Sequence, residues 1–288
     1  MSKVDILAAF ETQPEPPDFI LPGLLAGTVG ALIAPGSTGK SFWAMEAACA
    51  IASPEDDANL LELKVEKHGK VLYLSLEDPA SELHRRLHAM GTQFSPETRR
   101  SIATQFHLSS LAGIGLNVMD AKAHKQLVKD AEDARLIVID TLSRAHKLDE
   151  NSNGEMAQLL GRLESIAKET GAGVLFLHHT SKAAALNGQG GLAQASRGAS
   201  ALIDNARWCG NLVKMTGDEA EALAEAPSRA VIGAEAKDFF VKFELGKINY
   251  GTVESSRWYK RGAGGVLYPA KLQKVTAQTR PKGGRDDI

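Results

Sequence analysis

Apolar residues fall into two kinds of pattern along this chain. From residue 29 onward, the runs VGALIA (29–34), VLYLSL (71–76), LIVID (136–140) and VLFLHH (174–179) are almost unbroken and have the length of single strands. A strand without polar alternation is one buried on both faces. Between these runs, apolar positions recur every three or four residues, which predicts helices over 40–51, 80–90, 120–132 and 155–170. Strands alternating with helices predict an α/β fold, a parallel central sheet covered by helices on both sides. Beyond residue 205 the helical spacing fades. There ARWCGNLVKM (206–215), FFVKFEL (239–245), RWYK (257–260) and VLYP (266–269) read as strands, the last two joined by the glycine-rich RGAGG. They predict antiparallel C-terminal strands added to the parallel core.

The ends depart from this pattern. VDILAAF (4–10) spaces Val4, Ile6, Leu7 and Phe10 along about two turns of helix, and QPEPPDFILP follows it. Proline fixes φ and removes amide donors, so this stretch is expected to be a stiff connector outside the core. Residues 1–22 are therefore read as an arm whose short helix either docks on a neighbouring subunit or folds back on its own domain. Residues 23–270 are read as one domain. Residues 271–288, with five basic side chains and the turn-rich PKGG, are read as a mobile basic tail.

Composition narrows the classes of function. With 288 residues, 43 % of them hydrophobic and 24 % charged, the chain can bury a large core. Its 33 basic and 35 acidic residues give a formal net charge of −2, which excludes a polybasic binder and confines nucleic-acid contact to local loops. Cys49 and Cys209 stand far apart, outside any metal-like spacing, and are read as buried side chains in a reducing compartment. No apolar run reaches the roughly 18 residues of a membrane span. Asp5 interrupts what would be the apolar core of a signal peptide, so a cytoplasmic location without membrane contact is expected.

Candidate chemistry begins at APGSTGKSF (34–42), which departs from GxxxxGK[ST] at its first position, Ala34. Backbone amides at a helix N-terminus bind phosphate oxygens, Lys40 reaches the β and γ phosphates, and the Ser41 hydroxyl ligates Mg²⁺. Pro35, Gly36, Ser37, Thr38, Gly39, Lys40, Ser41 and Phe42 thus form a candidate ATP cradle between a strand and an apolar helix. RLIVID ends in Asp140, suited to hold magnesium through water. Thr141 follows it, so the carboxylate that polarises the attacking water is sought on the next strand, at Glu77, with Asp78 as its competitor. VLFLHH ends in His178 and His179. His179 is read as the γ-phosphate sensor, with His178 as the alternative. Adjacent histidines on a strand face opposite ways, which argues against a metal pair. Two aromatic-free, modestly basic loops follow Asp140 and His179. One carries Arg144, His146 and Lys147, the other Lys182 and Arg197. They suit sequence-independent contact with a single-strand backbone, or are plain surface loops.

In order, APGSTGKS, YLSLEDP, HRRLHAMG, LIVIDTLSRAH, FLHHTSK, ASRGASALIDNARW and KINYG resemble the RepA replicative helicases of broad-host-range mobilisable plasmids, within the RecA/DnaB-like superfamily. The similarity runs from about DILAAF through GGVLYPA. It implies a RecA-like P-loop ATPase domain and a homohexameric ring that hydrolyses ATP with Mg²⁺. Such a ring moves along single-stranded DNA and unwinds a plasmid duplex, with a replication initiator or primase among its partners. The resemblance places Lys40 and Ser41 on nucleotide and magnesium, Asp140 on magnesium, Glu77 as base and His179 as sensor. Arg207 of DNARW becomes the finger that reaches a neighbour's nucleotide. DnaB-like helicases carry a Lys-x-Arg-x-Gly finger near the C-terminal end, whereas this chain has Lys247-Ile248-Asn249-Tyr250-Gly251. Asn249 cannot supply a guanidinium, so Arg207, and after it Arg197, takes that part. A RecA-like ATPase that remodels DNA or protein without unwinding is the alternative.

Overall fold

The computed structural model describes residues 3–179, 202, 205–250 and 256–275. In chain order its first elements are α1 (Ile6–Glu11), β1 (Phe19–Leu21), β2 (Leu24–Leu25), β3 (Val29–Ala34), α2 (Lys40–Ala52) and β4 (Lys70–Ser75). Then come α3 (Ala80–Gly91), α4 (Pro96–Gln105), β5 (Phe106–Ser110), α5 (Ala121–Asp130), β6 (Ala134–Asp140), α6 (Asn153–Thr170) and β7 (Gly173–His179). The C-terminal part adds β8 (Trp208–Lys214), α7 (Gly217–Ala222), β9 (Leu223–Glu225), β10 (Phe240–Ile248), β11 (Ser256–Arg261), β12 (Leu267–Pro269) and β13 (Leu272–Lys274).

Nine strands form one sheet in the order β12-β11-β10-β8-β3-β7-β6-β4-β5. Neighbours from β8 across to β5 are parallel, while β8–β10, β10–β11 and β11–β12 are antiparallel. This is the parallel core with an antiparallel extension that the apolar runs predict. Strand alternation sends Leu32, Tyr73, Leu136 and Leu175 into an apolar layer shared with α2, α3 and α4. The intervening Ile33, Ile137, Ile139 and Phe176 join α5 and α6 on the other face. The helix α2 is buried continuously from Trp43 to Ala52, and Trp43 stacks on Phe243 of β10 with ring centroids 4.7 Å apart and planes 7° from parallel.

Three expectations about the chain's organisation are corrected. The extended connector ends before Phe19, because Ile20 and Leu21 of the β1–β2 hairpin have no exposed surface and belong to the core. Asp18 anchors this turning point through a bidentate pair with Arg135, at 2.7 and 2.8 Å. The segment from Lys271 is not wholly a tail, since β13 pairs antiparallel with β9; residues from 276 onward lie outside the described ones. Finally, α4 and β5 went unread because PETRRSIATQ buries little beyond Thr98 and Ile102, and the edge strand FHLSS is half-buried and short of apolar residues. Ahead of them all, α1 is exposed along its whole length, with Val4, Ile6, Leu7 and Phe10 at 73, 59, 65 and 83 % exposure.

Candidate nucleotide site

Because β3, β7, β6 and β4 run parallel, their carboxyl ends meet at one edge of the sheet, the place where open α/β folds hold ligands. The register sets Ala34 beside His179 and Ser75 beside Asp140. From β3 the chain turns into α2 through Ser37 and Gly39, both at positive φ (60° and 100°). Thr38 Oγ1 donates to the Pro35 carbonyl at 2.7 Å and closes the turn. A Cβ on Gly36 would meet nothing within 4 Å, so the loop leaves an open cradle above the first turn of α2.

Two buried polar side chains face this cradle. Lys40, 5 % exposed, has its ammonium 4.0 Å from Asp140 Oδ1. Burial lowers the Lys40 pKa, and the charges of Asp140, Glu77 and Asp78 oppose that shift. The other Asp140 oxygen, Oδ2, accepts a 2.7 Å hydrogen bond from the fully buried Tyr73 hydroxyl. An ATP phosphate chain with Mg²⁺ fits these residues. The cradle is open at Gly36, the Lys40 cation has a single acidic partner at long range, and Ser41 and Asp140 supply the hard oxygens that Mg²⁺ prefers.

The two carboxylates after β4 have different partners. Asp78 is held by both terminal nitrogens of Arg86, at 2.7 and 3.1 Å, and that guanidinium lies over the Phe42 ring. Glu77 accepts from Thr141 Oγ1 at 2.9 Å and lies 3.8 Å from both His179 Nε2 and Arg144 Nε. Thus Glu77 and His179 are brought together, and His179 is half exposed while His178 is buried. Burial is the first cause of the lowered His179 pKa, followed by the Lys40 charge, with Glu77 acting against it. Burial also takes His178 down to about 4. Among the described residues no three His, Cys, Asp or Glu side chains gather as a metal site. Cys49 and Cys209 are buried free thiols.

The segment after Asp140 is not the mobile basic loop expected. Leu142 and Ala145 are fully buried, the Val118 amide donates to the Ala145 carbonyl at 2.8 Å, and His146 is buried with Nδ1 accepting from the Leu148 amide. Lys147 is exposed, and Arg144 turns toward Glu77. Lys182 and Arg197 lie outside the described residues. Arg207 is exposed at the start of β8, where its amide donates to the Val29 carbonyl at 3.1 Å, so it sits at the far end of β3 from the cradle. The Asn249 amide donates to the Arg207 carbonyl, which sets these two residues side by side. Three residues of the site were missed in the sequence: Tyr73, Arg86 and Arg261, whose Nη2 donates to the Thr38 carbonyl at 2.9 Å. A tyrosine inside an apolar strand was a usable signal, since a buried hydroxyl needs a partner.

A phosphate loop on the central strand, a buried Lys–Asp pair and a carboxylate on the adjoining strand end define a RecA-like P-loop NTPase. The chain belongs to the AAA domain family, whose pattern matches residues 2–185. Among solved structures it is similar to the ATPase domain of a replicative helicase, with a TM-score of 0.56 and 16 % identity over 84 % of each chain. It is also similar to the RadB recombinase, with a TM-score of 0.52 and 13 % identity over 83 % of this chain and 90 % of that one. At these identities the likeness is one of fold. No helix among the described residues is long and apolar enough to cross a membrane.

Proposed function

We propose that this protein is an ATP-driven replicative helicase of the plasmid RepA type, a homohexamer that translocates on single-stranded DNA. The observation that carries the reading is the division of the hydrolytic groups between two edges of the sheet. Lys40, Asp140, Glu77 and His179 gather at the carboxyl edge, while the exposed Arg207 lies one strand length away, about 20 Å at ~3.3 Å per residue. At that distance Arg207 serves the site of a second copy. Repeating such a head-to-tail contact closes a ring.

Within one subunit, Lys40 grips the β and γ phosphates, and Ser41 and Asp140 hold magnesium. Bound there, the ion screens the phosphate charge. Glu77, oriented by Thr141, takes the proton of the attacking water, while Asp78 stays committed to Arg86. His179 touches Glu77 at the strand end and reads the γ-phosphate. Lys147, Lys182 and Arg197 contact the DNA backbone, and α1 docks on the neighbouring subunit; an initiator or primase would meet the assembled ring. ATP-dependent strand displacement on a forked duplex, with ATPase stimulated by single-stranded DNA and a hexameric mass in ATP and Mg²⁺, is the expected result. Stimulated ATPase without displacement would replace this reading with a RecA-like remodelling ATPase. Mixing Arg207→Ala with Lys40→Ala subunits should restore hydrolysis at interfaces that pair an intact Lys40 with an intact Arg207. Inactive mixed rings with demonstrated subunit exchange would remove Arg207 from the site.

A further inference from the structure

We propose that Arg261 is a second cation of the nucleotide site, binding the phosphate chain from within the same subunit, and that Glu46 is the positioning residue that holds it there. The inference rests on the nucleotide reading above. Arg261 ends β11 and lines the same cavity of about 310 Å³ as Lys40, Ser41, Phe42 and Glu77. Its bond to the Thr38 carbonyl occupies a single donor, and no carboxylate among the described residues pairs with it. The neighbouring acids are engaged elsewhere, Asp78 by Arg86 and Glu77 by Thr141. A guanidinium with spare donors and no counter-charge, on the wall of a phosphate cradle, is matched to a polyanion.

The hairpin that carries Arg261 is clamped at three points. The Gly262 amide donates to the Val266 carbonyl at 2.7 Å and closes the turn. Gly264 and Gly265, at φ 68° and 93°, press on Ala89 of α3 and on the Phe42 ring, where added Cβ atoms would come within 2.5 and 2.7 Å. The third point is Glu46, in the middle of α2 and fully buried, whose Oε1 accepts from the Leu267 amide at 2.9 Å. Its other oxygen has no partner. Burial raises its pKa well above the usual carboxylate range, so near neutral pH the side chain is a neutral acid with glutamine as its isostere. A polar group this deep, spending one bond on the base of the hairpin, sets the depth at which β11 delivers Arg261 to the loop.

The test is calorimetric titration of the full chain with Mg·ATP and Mg·ADP across a KCl series. Arg261→Met, which keeps the aliphatic stem, and Arg261→Gln should bind both nucleotides about 10- to 100-fold more weakly. Their affinities should also fall less steeply with salt, because one screened charge contact is gone. Arg261→Lys should keep the wild-type salt slope and part of the affinity. Glu46→Leu should weaken binding in the same direction, with Glu46→Gln retaining more of it. Two variants at each position allow the comparison if one fails to fold. Wild-type affinity in Arg261→Met or Arg261→Gln, or weaker binding with an unchanged salt slope, would overturn the proposal and leave Arg261 as a loop brace. A wild-type chain that binds no ATP would instead overturn the nucleotide reading itself.

Discussion

The hydrogen bond between Tyr73 and Asp140 gives the sharpest quantitative test of how this site is built. Tyr73 has no exposed surface, its ring meets Phe106 edge-on at 6.1 Å, and its hydroxyl supplies the bond to Asp140 Oδ2. Tyr73→Phe keeps the ring and deletes one oxygen, so the packing term is small. What is lost is a hydrogen bond to a carboxylate that is 3 % exposed, leaving Oδ2 without a donor. A bond of this kind contributes about 1.5–3 kcal/mol. At a urea dependence of about 3 kcal/mol per M, the unfolding midpoint should fall by about 0.5–1 M. Freed from Tyr73, the Asp140 carboxylate can swing toward Lys40, so half-maximal ATPase should also need more Mg²⁺. In an Asp140→Ala background the same substitution should cost little, because its partner is already gone. An equal cost in both backgrounds, or a midpoint unchanged in the first, would refute the coupling of these two side chains.

Other outcomes follow from the same geometry. Glu77→Gln should bind ATP normally yet hydrolyse it at least about 10²-fold more slowly, whereas Asp78→Asn should release Arg86 and act mainly on KM; the reverse pattern in steady-state kinetics would exchange the two roles. Deleting residues 1–18 should weaken the ring and lower ATPase together, and an intact hexamer in sedimentation would show that α1 does not bridge subunits. His178 has a folded pKa of about 4 against 6.5 for the unfolded imidazole. Between these values the unfolded chain binds the extra proton, so stability present above pH 6.5 is lost as pH falls toward 4, by up to about 1.4 kcal/mol per pH unit. Melting curves of His178→Asn should be flatter over that range, and curves parallel to the wild type would count against the imidazole as the cause.

Sequence alone determined the elements whose signal is local. Strands β3, β4, β6 and β7 are unbroken apolar runs because both faces of a parallel strand are buried, and that follows from composition within six or seven residues. The phosphate loop is legible for the same reason: a turn needing positive φ, a lysine and a serine are contiguous in the chain. Asp140, Glu77 and His179 could be nominated because each ends such a run, and strands in parallel deliver their ends to one edge. Tertiary structure decided the pairings. Tyr73 reaches an aspartate 67 residues away, and Arg261 reaches the phosphate loop across 223 residues, distances over which no sequence periodicity carries information. It also drew FIL into the core, gave the polar PETRRSIATQ and FHLSS a sheet edge to cover and extend, and tied down the segment after Asp140. In each case the deciding quantity is what lies opposite a side chain, such as a buried acceptor, an unpaired strand edge or an apolar face. That quantity exists once the chain is folded.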